Sequence, residues 1–150
     1  MATTLKSATL TSTVTEKIVL NGKDFGNTTT KSITGIKDIS QRIIRVLTST
    51  NGTQIYAGGT AVGPGTFIST NVEYVRITNL DGTNYVIFHL EGNSHYGQIK
   101  LPAGKSFILG TPVGFDNAND IDSFSSETIT KIEAKANTAN VDVEVFVASK

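Results

Sequence analysis

The chain has 150 residues, enough for one domain that hides roughly two thirds of its unfolded surface. Its 13 basic and 13 acidic residues cancel, and the lysines and arginines are scattered singly, which excludes the clustered basic stripe of a phosphate-tracking surface. The lack of cysteine excludes disulfides and thiolate-bound zinc, and no apolar run approaches the roughly 18 residues of a membrane span. Charged residues make up only 17%, and 22 threonines fill much of the gap. Threonine is β-branched and polar, so it suits the wet face of a sheet.

Residues 1–16 are polar, with Leu5, Leu10 and Val14 as the only large apolar side chains after Met1. They read as an arm that orders on a neighbour or as an edge strand; residues 17–150 read as a single β-sandwich domain. The first residues lack the apolar core of a signal peptide, so the chain is expected to start in a cytoplasm. Residues 17–20 form a short strand closed by Asn21-Gly22. Residues 24–33 read as a loop, with Gly26-Asn27 and three threonines. In 38–50, Ile39, Ile43, Ile44, Val46 and Leu47 include helical spacings and Ser40 is a possible cap. The β-branched content favours a strand from about Gln41 onward, with 53–57 as its partner across Asn51-Gly52.

Residues 58–65 (GGTAVGPG) form a flexible loop, and 66–69 a strand. From Val72 to Gly110 the period of two is plain. Val75 and Ile77, then Val86, Phe88 and Leu90, alternate with Tyr74, Arg76 and Thr78, then with Ile87 and His89. Two turn signals, Asp81-Gly82 and Pro102-Ala103-Gly104, read as tight reversals that set the register of one sheet. Residues 111–126 read as a long loop and 127–136 as a strand. In 141–148 Val141, Val143, Val145 and Val147 face one way, Asp142, Glu144 and Phe146 the other. The fold class is therefore all-β, a jelly roll or β-sandwich of about 8–10 short antiparallel strands.

Motifs for chemistry are sparse. His89, Glu91 and His95 resemble a two-histidine, one-carboxylate metal set, but they are read as solvated polar residues around a hairpin. The acidic loop from Asp116 to Asp122 places Ala118 where a calcium ligand belongs, so an Asx-turn loop is expected there. The glycine-rich loop lacks the Lys-Ser/Thr of a phosphate cradle. With two histidines, no cysteine and no Gly-x-Ser-x-Gly elbow, no nucleophile and base can be assembled. The expectation is no enzyme, no metal and no cofactor. The aromatics Tyr56, Tyr74, Tyr85, Tyr96, Phe115 and Phe146 fall partly on predicted polar faces, as interface or core residues.

The segments VRITNLDGTNYVIFHLEG, YGQIKLPAGKSFIL and ITKIEAKANTANVDVEVFVAS resemble the β-domains of small tailed-bacteriophage structural proteins. The resemblance spans roughly residues 72–148. It implies a virion component, made in the host cytoplasm, and within that class a capsid decoration (cement) protein. Such a protein is a homo-oligomer, with a trimer favoured. It binds the major capsid protein or other virion proteins by multivalent contact, with neither nucleic acid nor membrane as partner. Leu5, Leu10 and Val14 in the arm and Val62 in the glycine loop are the expected contacts. A tail, neck or fibre-associated protein and a carbohydrate-binding β-sandwich module are the alternatives; the lack of tryptophan weighs against the second.

Overall fold

A computed structural model describes residues 5–116 and 126–150. Its strands in chain order are β1 (Ala8–Glu16), β2 (Val19–Leu20), β3 (Lys23–Asp24), β4 (Asn27–Ile36), β5 (Asp38–Val46), β6 (Thr53–Gly59), β7 (Thr66–Ile68), β8 (Val72–Asn79), β9 (Val86–Glu91), β10 (Tyr96–Leu101), β11 (Ser106–Leu109), β12 (Val113–Asp116), β13 (Ser126–Thr128), β14 (Lys131–Ala136) and β15 (Val141–Ser149). A four-stranded sheet, β11-β8-β15-β5, faces a five-stranded sheet, β10-β9-β14-β6-β7. Within these two sheets all pairings are antiparallel except β6 with β7. The chain is all-β and consistent with a β-sandwich, as its alternation implies.

The core is the inward side of both sheets. Val75, Ile77, Val141, Val143, Val145 and Val147 from one sheet meet Tyr56, Val86, Phe88, Leu90 and Ile132 from the other, all nearly fully buried. Tyr56 stacks on Phe67 with ring centroids 5.8 Å apart. Burial pushes the Tyr56 hydroxyl up to about 12, against a smaller pull downward from Ser69. That hydroxyl is buried without a well-formed hydrogen bond.

The two turn signals do not join neighbouring strands. β8 and β9 lie in opposite sheets, as do β10 and β11. Neither Asp81 nor Gly82 adopts the positive φ that a tight two-residue hairpin turn of the Asp-Gly kind requires. Side chains build an arch instead. Asp81 Oδ1 accepts the amides of Thr83 (2.7 Å) and Asn84 (2.6 Å), which holds its carboxyl below the usual range. Fully buried Asn79 accepts the Asp81 amide and donates to the carbonyls of Asn84 (2.9 Å) and Leu101 (3.3 Å). One amide thus ties the end of β8 to the arch and to β10. For the same reason β6 is not the partner of β5: the chain crosses between sheets at 47–52.

Other differences are local. β5 starts at Asp38, ahead of the expected Gln41, because it pairs with β15 along its full length. Residue 69 begins a short 3₁₀ turn, Ser69–Asn71, that carries the chain to the other sheet. β12 forms within 111–126, expected to be loop, and pairs with β13, which opens the strand expected over 127–136; that strand is interrupted at Ile129-Thr130. The largest departure is 24–33. Expected as loop, it supplies most of β4, because its threonines find a threonine-rich partner in β1.

Candidate functional site

β1 and β4 stand apart from both sheets as a two-stranded ribbon, and residues 17–36 complete it. Nine paired residues in β1 give a length of about 30 Å at ~3.4 Å per residue. Beyond them β2 and β3 continue the hairpin to a turn at Asn21 and Gly22, with φ of 51° and 78°. Positive φ at both central residues is the tight-turn pattern that Asn-Gly favours.

The register gives the ribbon two unlike faces. Thr9/Thr34, Thr11/Ser32, Thr13/Thr30 and Thr15/Thr28 line one face, all exposed. Facing hydroxyls approach to 3.2 Å at Thr13/Thr30 and 3.4 Å at Thr15/Thr28. The other face carries Leu10/Ile33, Ser12/Lys31 and Val14/Thr29. A bulge between Ala8 and Thr9 leaves Gly35 unpaired at φ 80°. That extra residue brings Ile33 and Ile36 to the same side. Ile36 is buried with Tyr74 and Ala148, and Leu10, Ile33 and Phe146 pack around them. The rings of Tyr74 and Phe146 meet edge to face at 6.0 Å. Farther along, Val14 lines a groove with Tyr74 and Ile108. The ribbon therefore crosses the outer face of the four-stranded sheet from β15 over β8 and leaves over the β11 edge.

Beside this root a polar ladder spans all four strands. Gln41 Nε2 donates to Glu144 Oε1 (3.0 Å), Arg76 Nη2 meets the same oxygen at 2.5 Å, Arg76 Nη1 reaches Thr78, and Thr78 pairs with Ser106. The Arg76 hydrogen bond holds the Glu144 carboxyl below its ordinary value.

From Thr15 to Thr30 every residue is exposed. At the tip Ile18 (54%), Val19 (62%), Leu20 (58%) and Phe25 (55%) present apolar side chains to solvent. Sequence reasoning marked 17–20 as a strand but not as a surface. The available signal was an unalternated Ile-Val-Leu run beside an Asn-Gly turn, which a half-buried strand does not require. Of the expected contacts, Leu5 and Val62 are exposed, at 66% and 67%, and Val14 is exposed beside the root groove. Leu10 is half-buried in the root itself.

The other candidates are scattered. His89 and Glu91 share the outer face of the five-stranded sheet, 4.0 Å apart, but Glu91 is engaged by Lys131 at 2.8 Å, which raises the lysine. His95 turns instead to Glu127, with Nδ1 3.4 Å from Oε2. Glu127 is buried, and its Oε1 accepts the Ser94 amide at 2.5 Å. Its Oε2, close to His95 but outside hydrogen-bond geometry, has no hydrogen-bond partner. Sequence reasoning missed this carboxylate because its partners lie 32 and 33 residues away. Among the described residues no group of three side chains is placed to hold a metal ion. Residues 117–122 of the acidic loop lie outside the described residues. Tyr96 is 71% exposed and stacks on His89, and Lys100 sits over the Tyr85 ring. Comparison with protein-family models, with curated proteins and with solved structures found no match.

Proposed function

We propose that this is a viral structural protein, a capsid decoration protein that binds an outer shell and stabilises it through multivalent, non-covalent contacts. The observation that carries the proposal is the apolar tip on a projecting ribbon. Two strands alone are marginally stable in water, and four large apolar side chains at their far end gain free energy only when something covers them. Supporting it, the order of the eight main strands, β5-β15-β8-β11 against β6-β14-β9-β10, is that of two interleaved Greek keys, which we read as a jelly roll of the kind used in capsids. The resemblance of residues 72–148 to phage β-domains points the same way. The mechanism is binding alone. A rigid sandwich holds the ribbon root, copies of the chain associate, and weak contacts repeated over a shell add as avidity.

The test is co-sedimentation of the purified protein with shells assembled from the coat protein encoded nearest to it, alongside the unassembled coat protein. Saturable binding to assembled shells only is the expected result. Equal binding to both, or to neither, sinks the proposal.

A further inference from the structure

We infer that His95 and Glu127 hold a divalent transition-metal ion of the zinc type at the reversal between β9 and β10. The site goes beyond shell binding and does not depend on it. Sequence spacing groups His95 with His89 and Glu91; the fold supplies His95 with a different carboxylate. The Gly92 amide donates to the His95 carbonyl at 2.8 Å, which closes the reversal at residues 92–95. Glu127 of β13 lies against that reversal, only 8% exposed, and its Oε1 accepts the Ser94 amide. A Cβ at residue 92 would stand 2.6 Å from Glu127 Cδ and 2.8 Å from Oε2, so glycine is what lets the backbone approach the carboxylate this closely.

Two observations point to an ion. The first is charge. A buried carboxylate needs a cation or a full set of donors. Glu127 Oε2 has no hydrogen-bond partner among the described residues. Lys131 is committed elsewhere, to Glu91 at 2.8 Å and Glu133 at 3.5 Å. Among the described residues the one basic group in ion-pair range of Glu127 is His95. The second observation is spacing. His95 Nδ1 lies 3.4 Å from Oε2. Two ligands each about 2.1 Å from one zinc ion, at the tetrahedral angle, stand roughly 3.4 Å apart. A direct hydrogen bond needs the ring N–H aimed along the line between the two atoms, and that alignment is not met. An ion sits off that line, at the apex of a triangle. The His95 side chain is 45% exposed and borders a cleft of about 300 Å³, so water can complete the coordination shell. Two protein ligands make a weaker site than the four of a structural zinc centre. The metal therefore fastens the β9–β10 reversal to β13 in a fold that forms without it.

Zinc chloride titrated into the full chain at neutral pH tests this, followed by calorimetry and by NMR of the histidine rings and backbone amides. The expected result is saturable one-to-one binding, with the His95 ring coordinated through Nδ1 and the Ser94 amide shifting in step with it. His95→Ala is expected to weaken binding by about tenfold or more, at least the cost of losing an outer-shell partner. Glu127→Gln, which keeps an oxygen for the Ser94 amide, is expected to do the same, and His89→Ala to leave binding unchanged. Zinc is further expected to raise the urea midpoint of the wild type and not that of His95→Ala. No saturable binding, or binding that survives His95→Ala or a folded Glu127→Gln, overturns the inference. A His95 shift without a Ser94 shift overturns it too, and that reading needs no Glu127 variant to fold. Loss of binding in His89→Ala would move the ion to the His89–Glu91 pair and likewise overturn it.

Discussion

The sandwich and the ribbon use the same secondary structure under opposite rules. In the sandwich each strand has a dry face: β15 buries Val141, Val143, Val145 and Val147 and turns Asp142 and Glu144 outward. In the ribbon neither face is dry beyond the root, and cross-strand threonine pairs replace a core. The sandwich is stabilised within one chain, whereas the ribbon is held at one end by a handful of side chains and keeps its largest apolar group for something else. Covering surface, more than strand propensity, is what separates a packed strand from a projecting one here.

The sharpest way to break this comparison is in the core. Phe88→Ala empties a fully buried site and is expected to cost about 3–5 kcal/mol, read as a lower denaturant midpoint with unchanged slope. Ile36→Ala at the root is expected to cost about 2 kcal/mol, less than the core change because the cluster is smaller. Hydrogen exchange should then quicken in β1 and β4 while β9 and β14 stay protected. Equal loss in both would mean that ribbon and sandwich unfold as one unit.

Tyr56 offers a pH probe of the core alone. Its folded value of about 12 lies above the unfolded 10.0, so the neutral phenol's contribution is intact below pH 10 and is lost as pH rises toward 12. Relative to the wild type, Tyr56→Phe should lessen alkaline destabilisation by about 2 kcal/mol while changing neutral stability by less than about 1 kcal/mol, since the hydroxyl makes no well-formed hydrogen bond. Urea midpoints at neutral and alkaline pH check both statements. Glu144 probes the outer face with the opposite sign. Its lowered carboxyl stabilises the fold above the ordinary carboxylate value and ceases to do so as pH falls through the lowered one, so Glu144→Gln should flatten the acid limb of the stability profile. The smallest effect belongs to the tip. Leu20→Ser is expected to change stability by less than about 0.5 kcal/mol while weakening the shell binding proposed above. A clear loss of stability would show that the monomer itself uses the tip.

How much of this was legible follows from where each signal acts. Period-two alternation reports burial directly, so β8, β9 and β15 could be read from their valines and isoleucines. The Asn21-Gly22 turn could be read too, because its conformation is set by the two residues themselves. Asp81-Gly82 misled, since the same pair serves an arch when Asn79 and Asp81 capture backbone groups around it. Which sheet a strand joins is decided by partners far along the chain, and no local pattern carries that. β4 was hidden because a strand without a buried face has no alternation to show. The candidate site suffered most: its tip residues resemble a core strand until the structure shows that no core lies beneath them.

β15 is the last of the main strands in the chain, yet it sits between β5 and β8 in the middle of its sheet. Two of the three ladders of the four-stranded sheet therefore wait for β15, which begins 95 residues downstream of Val46. Such distant pairings are slow to form, because the intervening chain must first be gathered at an entropic cost. The ribbon root shares that delay, since Phe146 and Ala148 complete the seat of Ile36. The ribbon is thus seated only when the body beneath it is finished, and an incompletely folded chain has no firm base from which to project it.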